Sequence, residues 1–240
     1  MAELSDPEGT INMKIHNIFI AALGPEVQYY SALVRSLDSS LGSMLEAMAI
    51  GIARLSFDVR QDVVGPLYVA QTSRIAILLE AYRRRAQRPA VSDYEGLRDL
   101  QRDDMFEKRH DTDYLLTDRE TGDHFLIELK IGGDLDNKKA RSEKEALLEQ
   151  YCILSNTSQR TARIHLRFAT AYNRYGEGKP WAQERVRQFF ADEEFLISGN
   201  FWNFVSRRPD GFAIVIDEYK KASGTLAEAL RNVKAAYLPG

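Results

Sequence analysis

Glu128 and Lys130 stand two positions apart in the segment IELK, and Asp113 precedes Glu128 with fourteen residues between them. Side chains alternate along a strand, so Glu128 and Lys130 share one face, and a hairpin would bring Asp113 beside Glu128. Two carboxylates and the backbone carbonyl of Leu129 form an oxygen cage that suits Mg²⁺. With the positive charge of Lys130, such a cation suits phosphodiester hydrolysis. The same spacing also fits a half-exposed strand with a surface ion pair worth under about 1 kcal/mol.

Basic and amide side chains follow this strand and recur in a second loop. Gly132 and Gly133 end the strand, and a backbone without side chains can approach a phosphate closely. The neighbouring residues that we expect to contact DNA are Asn137, Lys138, Lys139 and Arg141. The loop AYNRYGEGKPW, residues 171–181, also carries side chains that match base edges, since Arg pairs with guanine and Asn with adenine. Its expected DNA contacts are Asn173, Arg174 and Lys179, and the alternative is a tight turn that enters a helix.

Composition limits the class of protein. The chain has 240 residues, 44% of them hydrophobic, which is enough for one sizeable core. A single cysteine, Cys152, excludes an intramolecular disulfide and zinc sites built on several cysteines. The sequence has neither a signal-peptide pattern nor an apolar run long enough for a membrane span, so we expect a cytoplasmic protein. The net charge of −3 argues against a diffuse grip on nucleic acid, but residues 158–188 hold seven basic side chains against two acidic ones.

Helical and strand patterns place these residues in a mixed fold. Helical spacing predicts a helix over 25–55, either continuous or broken near Ser39–Gly42, and another over 69–87. Alternating patterns predict strands at 114–117, 125–131 and 162–172. Helices are expected at 138–154, at 180–196 and through most of 201–238, although 211–216 is also compatible with a short strand. This order indicates an α/β or α+β fold, a small mixed β-sheet flanked by helices.

The sequence predicts one domain over residues 1–240. Its three parts are a mainly helical N-terminal part (1–104), a catalytic core (105–200) and a helical C-terminal part (201–240).

Asp113 and the Glu-x-Lys of residues 128–130 resemble the motif of the PD-(D/E)xK nucleases. The resemblance extends to type II restriction endonucleases of the TdeIII kind. It is carried by GSMLEAMA (42–49), IELKIGGDLDNKKARSEKEALLEQY (127–151), RFATAYNRYGEGKPWAQERVRQFFADEEFLI (167–197) and FWNFV (201–205). These blocks cover most of residues 42–205. The literal Pro-Asp of the motif is Thr112–Asp113 here, which leaves Asp111 as a competitor for the first acid. We favour Asp113 because it directly precedes the apolar strand.

The resemblance implies a restriction-endonuclease-like core with extra N- and C-terminal helices, and Mg²⁺-dependent, sequence-specific cleavage of double-stranded DNA in restriction-modification defence. It makes Asp113 and Glu128 the metal-binding carboxylates and Lys130 the catalytic lysine. Glu46 occupies the place of an additional acid near the metal, and a helix-face glutamate is the equal alternative. Glu145 and Glu149 are expected to form salt bridges instead. A palindromic target implies a homodimer, and restriction implies a cognate DNA methyltransferase as genetic partner.

Two other functions remain open. One is a structure-specific or repair DNA nuclease with the same core. The other is a non-catalytic DNA-binding module, against which the intact set of Asp113, Glu128 and Lys130 counts.

Overall fold

A mixed five-stranded sheet forms the centre of the computed structural model, which describes residues 17–98, 104–132, 135–157 and 162–237. The strands are β1 (Phe57–Tyr68), β2 (Met105–Asp118), β3 (His124–Lys130), β4 (Ile164–Thr170) and β5 (Phe195–Ile197), and they lie in sequence order across the sheet. The pairs β1–β2 and β2–β3 are antiparallel, whereas the pairs β3–β4 and β4–β5 are parallel. The predicted mixed sheet is therefore confirmed.

The other elements are helices, which lie before, between and after the strands in the chain. They are α1 (Ile18–Ala21), α2 (Pro25–Ala53), α3 (Val69–Arg83), α4 (Asn137–Thr157), α5 (Glu184–Arg187), α6 (Gly199–Ser206) and α7 (Gly211–Tyr237). Two 3₁₀ helices cover Val91–Leu97 and Asp192–Glu194. No helix within the described ranges is both long enough and apolar enough to cross a bilayer.

The chain divides into two compact units. One comprises the described residues of Met1–Ala47 and Ala213–Gly240, and the other comprises those of Met48–Phe212. The first unit is helical, and the second contains the sheet. These limits differ from the predicted parts 1–104, 105–200 and 201–240, and the expectation of a single domain stays a prediction.

Apolar side chains of the second unit pack on both faces of the sheet. On one face, Leu147 and Leu148 of α4 are fully buried in a cluster that includes Leu126 of β3 and Phe168 of β4. On the other, the Phe201 ring of α6 lies 6.3 Å from the ring of Tyr114 on β2. Burial of such side chains stabilises each by about 1.5–3 kcal/mol, so the sheet between the two helices is the rigid base of this unit.

The structure corrects three expectations about elements. The helix expected over 180–196 is wrong: only Glu184–Arg187 is α-helical, and the segment ends in a 3₁₀ turn and β5. The strand alternative at 211–216 is wrong, because these residues begin α7. The suggested break near Ser39–Gly42 is also absent, since α2 is continuous through it. The helix expected over 180–196 does not form because the backbone there follows an irregular path that buries the side chains of Trp181, Phe189 and Phe190.

Candidate active site

The hairpin of β2 and β3 brings Asp113 beside the IELK strand. The last paired residues of this ladder are Tyr114 and Ile127, so Asp113 and Glu128 are the next residues on their strands. Where the ladder stops, the Leu129 backbone N–H donates to Asp113 Oδ2 at 2.7 Å. The carboxylate thus accepts the bond that a backbone carbonyl would take in a continued ladder, which holds it against β3.

Lys130 joins two carboxylates from different elements. Its ammonium group forms an ion pair with Glu128 on its own strand. Lys130 Nζ also lies 3.2 Å from Glu143 Oε1, which α4 supplies from above the sheet. Glu128 is only 8% exposed, so this pair is not the solvated surface pair considered from the sequence. The sequence reasoning did not single out Glu143, which completes a cluster of Asp113, Glu128, Lys130 and Glu143.

Burial and like charge raise the proton affinity of the acids in this cluster. Burial, and after it the neighbouring Asp113, raises the pKa of Glu128 to about 7, against the opposing effect of Lys130. Burial also raises the pKa of Asp113, although the bond from Leu129 and the charge of Lys130 counteract it. Burial alone would lower the pKa of Lys130, but Glu128, Glu143 and Asp113 outweigh it and raise that pKa. The ammonium therefore stays charged at neutral pH, and the acids lack a sufficient counter-charge.

The donor set of this cluster fits a hard divalent cation. The buried carboxylate of Glu128 and the half-buried one of Asp113, whose charge is only partly balanced, are a favourable site for Mg²⁺, which takes few protein ligands and keeps several waters. Among the described residues, no group of three or more His, Cys, Asp or Glu side chains could hold a metal by itself. Asp113 and Glu128 would thus supply two ligands, with the remaining positions left for water and a phosphate.

The other residues predicted for the catalytic site lie in different surroundings. Asp111 has a side chain that is 95% exposed and 3.8 Å from Arg109 Nε, so Asp113 is the acid that the hairpin brings to Glu128. The Leu129 carbonyl stays a predicted metal ligand. Glu46 lies on α2 in the other compact unit, and its role as an additional acid also stays a prediction. Glu149 forms an ion pair with Lys108 at 2.6 Å, as expected for a salt-bridging residue, and also lies 2.8 Å from His110 Nε2.

The start of α4 presents basic side chains near the cluster. Asp136 caps the helix by accepting from the Lys139 N–H at 2.8 Å, and the first residues Asn137, Lys138 and Lys139 are exposed. Residues four apart share a helix face, so Lys139 projects from the side of α4 that carries Glu143. Arg141 is partly buried, and its Nε has no hydrogen-bond partner among the described residues. Their contact with DNA stays a prediction.

The loop of residues 171–181 adjoins the same edge of the sheet. The N–H groups of Ala171 and Tyr172 both donate to Ile131 O, one residue beyond Lys130. Gly132 lies against this loop, since a Cβ there would stand 2.6 Å from the Tyr172 hydroxyl. Gly133, the other glycine of the pair, falls outside the described residues, as does Arg160 of the basic stretch 158–188.

Within this loop the predicted DNA contacts differ in exposure. Arg174 and Lys179 are exposed, and the Arg174 guanidinium lies 6.0 Å from the Tyr175 ring centre. Asn173 is buried: its amide donates to Lys179 O at 2.7 Å and accepts from Tyr175 N–H at 3.0 Å. In this arrangement Asn173 braces the loop, and contact with a base would require both bonds to break.

A cavity of about 670 Å³ opens beside the loop, at the ends of β4 and β5. The residues that line it include the positively charged Lys179 and Arg187 and the negatively charged Glu177 and Asp192. Glu177 accepts from Ser198 Oγ at 2.5 Å, which ties the loop to the start of α6.

The family model described as "Type II restriction endonuclease, HinfI" matches residues 5–223, which is most of the chain. No curated protein and no solved structure gives a match.

Proposed function

Because the chain belongs to the HinfI family of type II restriction endonucleases, which are site-specific deoxyribonucleases, we propose that it cuts double-stranded DNA. The proposed reaction depends on Mg²⁺ and takes place at the cluster of Asp113, Glu128 and Lys130. The observation that carries the proposal is the placement of Asp113, held by the Leu129 N–H at 2.7 Å, beside a buried Glu128 and its Lys130 partner. A PD-(D/E)xK nuclease requires two acids and a lysine at one point of a hairpin.

Asp113 and Glu128 are the residues that would hold Mg²⁺, together with the Leu129 carbonyl. When bound, the cation supplies Lewis-acid stabilisation of phosphate charge and a water of lowered pKa. The role of the protein is to keep two carboxylates in position, and the ladder end at Tyr114 and Ile127 does so for both. Burial, and after it the neighbouring Asp113, raises the pKa of Glu128 to about 7, and a cation held here would offset both effects and favour the ionised carboxylate.

Lys130 acts as a cationic donor in this proposal. Its pKa is raised by the surrounding carboxylates, so the ammonium keeps its proton at neutral pH and cannot accept one from water. It can instead contact a phosphate oxygen and orient the attacking water by hydrogen bonding. Of the two roles that the motif leaves open, base or phosphate clamp, the charge balance of this cluster supports the second.

We also propose the biological setting. Cutting at a palindromic site on both strands calls for two active sites related by a two-fold axis, hence a homodimer. A nuclease of this kind endangers the DNA of its own cell, so a cognate methyltransferase gene nearby would complete a restriction-modification system.

The test is incubation of the full chain with plasmid or phage DNA, with Mg²⁺ or with a chelator. We expect discrete fragments with Mg²⁺ and none with the chelator. A smear would contradict sequence specificity in favour of a structure-specific or general nuclease. Bound but uncut DNA would contradict catalysis in favour of a binding module.

Variants assign the site. We expect Lys130→Ala and Asp113→Asn to slow cleavage at least about 100-fold, the usual effect of losing a transition-state donor or a metal ligand. Asp111→Asn is the matched control, because Asp111 is an exposed acid on the same strand. Normal cutting by Asp113→Asn, or equal loss in Asp111→Asn, would overturn the assignment.

A further inference from the structure

Helix α2 carries an exposed row of apolar side chains with a regular spacing. Four members are large and open to solvent: Val27 is 42% exposed, Tyr30 44%, Val34 57% and Met44 44%. Leu37 and Leu41 lie between them and are partly exposed. We call this set the α2 stripe; it comprises Val27, Tyr30, Val34, Leu37, Leu41 and Met44.

The α2 stripe is not the internal core of its own unit. The buried residues of the same helix, Tyr29 at 2% and Ala32 at 1% exposure, lie about 110° and about 170° around the helix from the centre of the stripe, by the 100° advance per residue. In that unit Val215 of α7 is buried as well, at 7%. One face of α2 therefore serves internal packing, and the α2 stripe lies on a different face, where four of its six members are exposed.

The spacing of the stripe is that of a helix–helix seam. Successive members are 3, 4, 3, 4 and 3 residues apart, a seven-residue repeat with Val27, Val34 and Leu41 in one position and Tyr30, Leu37 and Met44 in the other. At about 1.5 Å per residue the stripe is about 26 Å long. The positions that flank it contain only two charged residues, Glu26 and Asp38. A seam of this kind selects another helix with the same repeat, rather than an extended peptide or a membrane surface.

We propose that the α2 stripe is the dimerisation surface of this endonuclease and that its partner is the α2 stripe of a second copy of the chain. The proposal rests on the proposed function, because a palindromic target calls for two copies. In a two-fold dimer the same patch on each subunit meets itself, and a heptad stripe satisfies that condition because each helix offers the other the same ridges and grooves. The two β-branched residues Val27 and Val34 occupy the position that favours two strands over three or four.

The mass of the full chain in solution tests this surface. By sedimentation equilibrium without DNA or metal, we expect the wild type at twice the subunit mass of 27.3 kDa. Val34→Glu introduces a charge into the centre of the seam and is expected to weaken association at least 100-fold, giving the mass of one subunit. Ser39→Glu, which adds the same charge at an exposed site of α2 outside the stripe, should remain a dimer.

Two results would overturn the proposal: a wild type that is monomeric at tens of micromolar, or a Val34→Glu variant that stays dimeric. Val34 is exposed, so the variant should keep the helix content of the wild type by circular dichroism. If it does not, Val34→Thr replaces it with a side chain of nearly the same shape, and a rise in the dimer dissociation constant of at least tenfold is expected. A dimer that fails to cut DNA would contradict the proposed cleavage reaction alone, and an active monomer would contradict the surface and the homodimer but not the cleavage reaction.

Discussion

Lys130 is paired with two carboxylates, and one of them, that of Glu143, lies outside the motif. Glu143 reaches it from α4, whereas Glu128 shares its strand. If Lys130 is to contact a phosphate, it must partly leave Glu128, and Glu143 then keeps the ammonium in place and charged. Groups that orient an active-site residue in this way typically matter by 10–100-fold. We therefore expect Glu143→Gln to lower the single-turnover cleavage rate by about 10–100-fold, with little change in DNA affinity.

Glu145→Gln is the control for that variant. It removes the same charge from the same helix, but two positions correspond to about 200° of rotation, so its side chain points away from Lys130. Cleavage rates and DNA binding measured in parallel separate positioning from a general charge effect. The role of Glu143 would be refuted if Glu143→Gln cut at the wild-type rate, or if both variants lost activity equally.

Much of the site was predictable because the motif lies on a hairpin. Strand alternation and a tight turn are local properties, so the sequence sufficed to place Asp113 beside Glu128, and the exposure of Asp111 agrees with the preference for Asp113. Glu143 was not predictable, since three glutamates follow on one helix and only the rotation of α4 over the sheet decides which one faces Lys130. Asn173 shows a second limit of the sequence: its type suits a base edge, but only the structure shows that its amide is bonded to Lys179 and Tyr175 within the loop.

Helix α4 also connects the sheet to two distant turns through a buried ion pair. Lys144 is fully buried, with Nζ 2.5 Å from Glu194 Oε1 and 2.5 Å from the Tyr94 hydroxyl. Glu194 in turn accepts from the Ala191 N–H at 2.7 Å. Burial lowers the pKa of Lys144, and Glu194 opposes this by favouring the charged form. The pair thus fixes the 3₁₀ helices Val91–Leu97 and Asp192–Glu194 against α4.

Removing one member of this pair should be more harmful than removing both. Lys144→Met leaves Glu194 buried without its counter-charge, and we expect a loss of about 3–5 kcal/mol in the free energy of unfolding. Lys144→Met combined with Glu194→Gln should recover part of that loss, because no isolated charge remains. Urea unfolding of the two variants and the wild type measures the difference. A cost below about 1 kcal/mol for Lys144→Met, or a double variant less stable than the single one, would show that the pair contributes little.

Elements were predictable where their pattern is regular and not where packing overrides it. Strands β3 and β4 and helix α4 agree with their patterns to within a few residues. Strand β1 was not recognised, because Gly65 and Pro66 interrupt its pattern; the position of β1 at the sheet edge is what tolerates the proline. Gly65 is also required by packing, since a Cβ there would stand 2.9 Å from Ile153 Cγ2. The three residues of β5 follow a helix-like apolar run, and only their parallel pairing with β4 makes them a strand.

For the whole molecule, the family match confirms the predicted class, a type II restriction endonuclease, and names HinfI rather than TdeIII. The likeness to the TdeIII kind stays a prediction. The same match makes DNA the substrate, which a chain of net charge −3 must bind through local surfaces. The candidates for such a surface are the loop of residues 171–181, which bonds to Ile131 next to Lys130, and the start of α4, where Lys139 lies one turn before Glu143.

Salt dependence of DNA binding can identify that surface. Each phosphate contact contributes about 0.9 to the slope of log affinity against log salt concentration. In a homodimer, Lys138→Ala with Lys139→Ala removes four positive charges, so we expect the slope to fall in magnitude by about 3–4. The measurement uses Lys130→Ala protein without Mg²⁺, so that DNA stays intact.

The matched control is Arg83→Ala with Arg84→Ala, which changes the net charge equally but removes two arginines already paired with Glu80 at 2.6 Å. An equal fall in both variants would mean that net charge alone governs binding, and an unchanged slope in the lysine variant would mean that the start of α4 does not contact the DNA backbone.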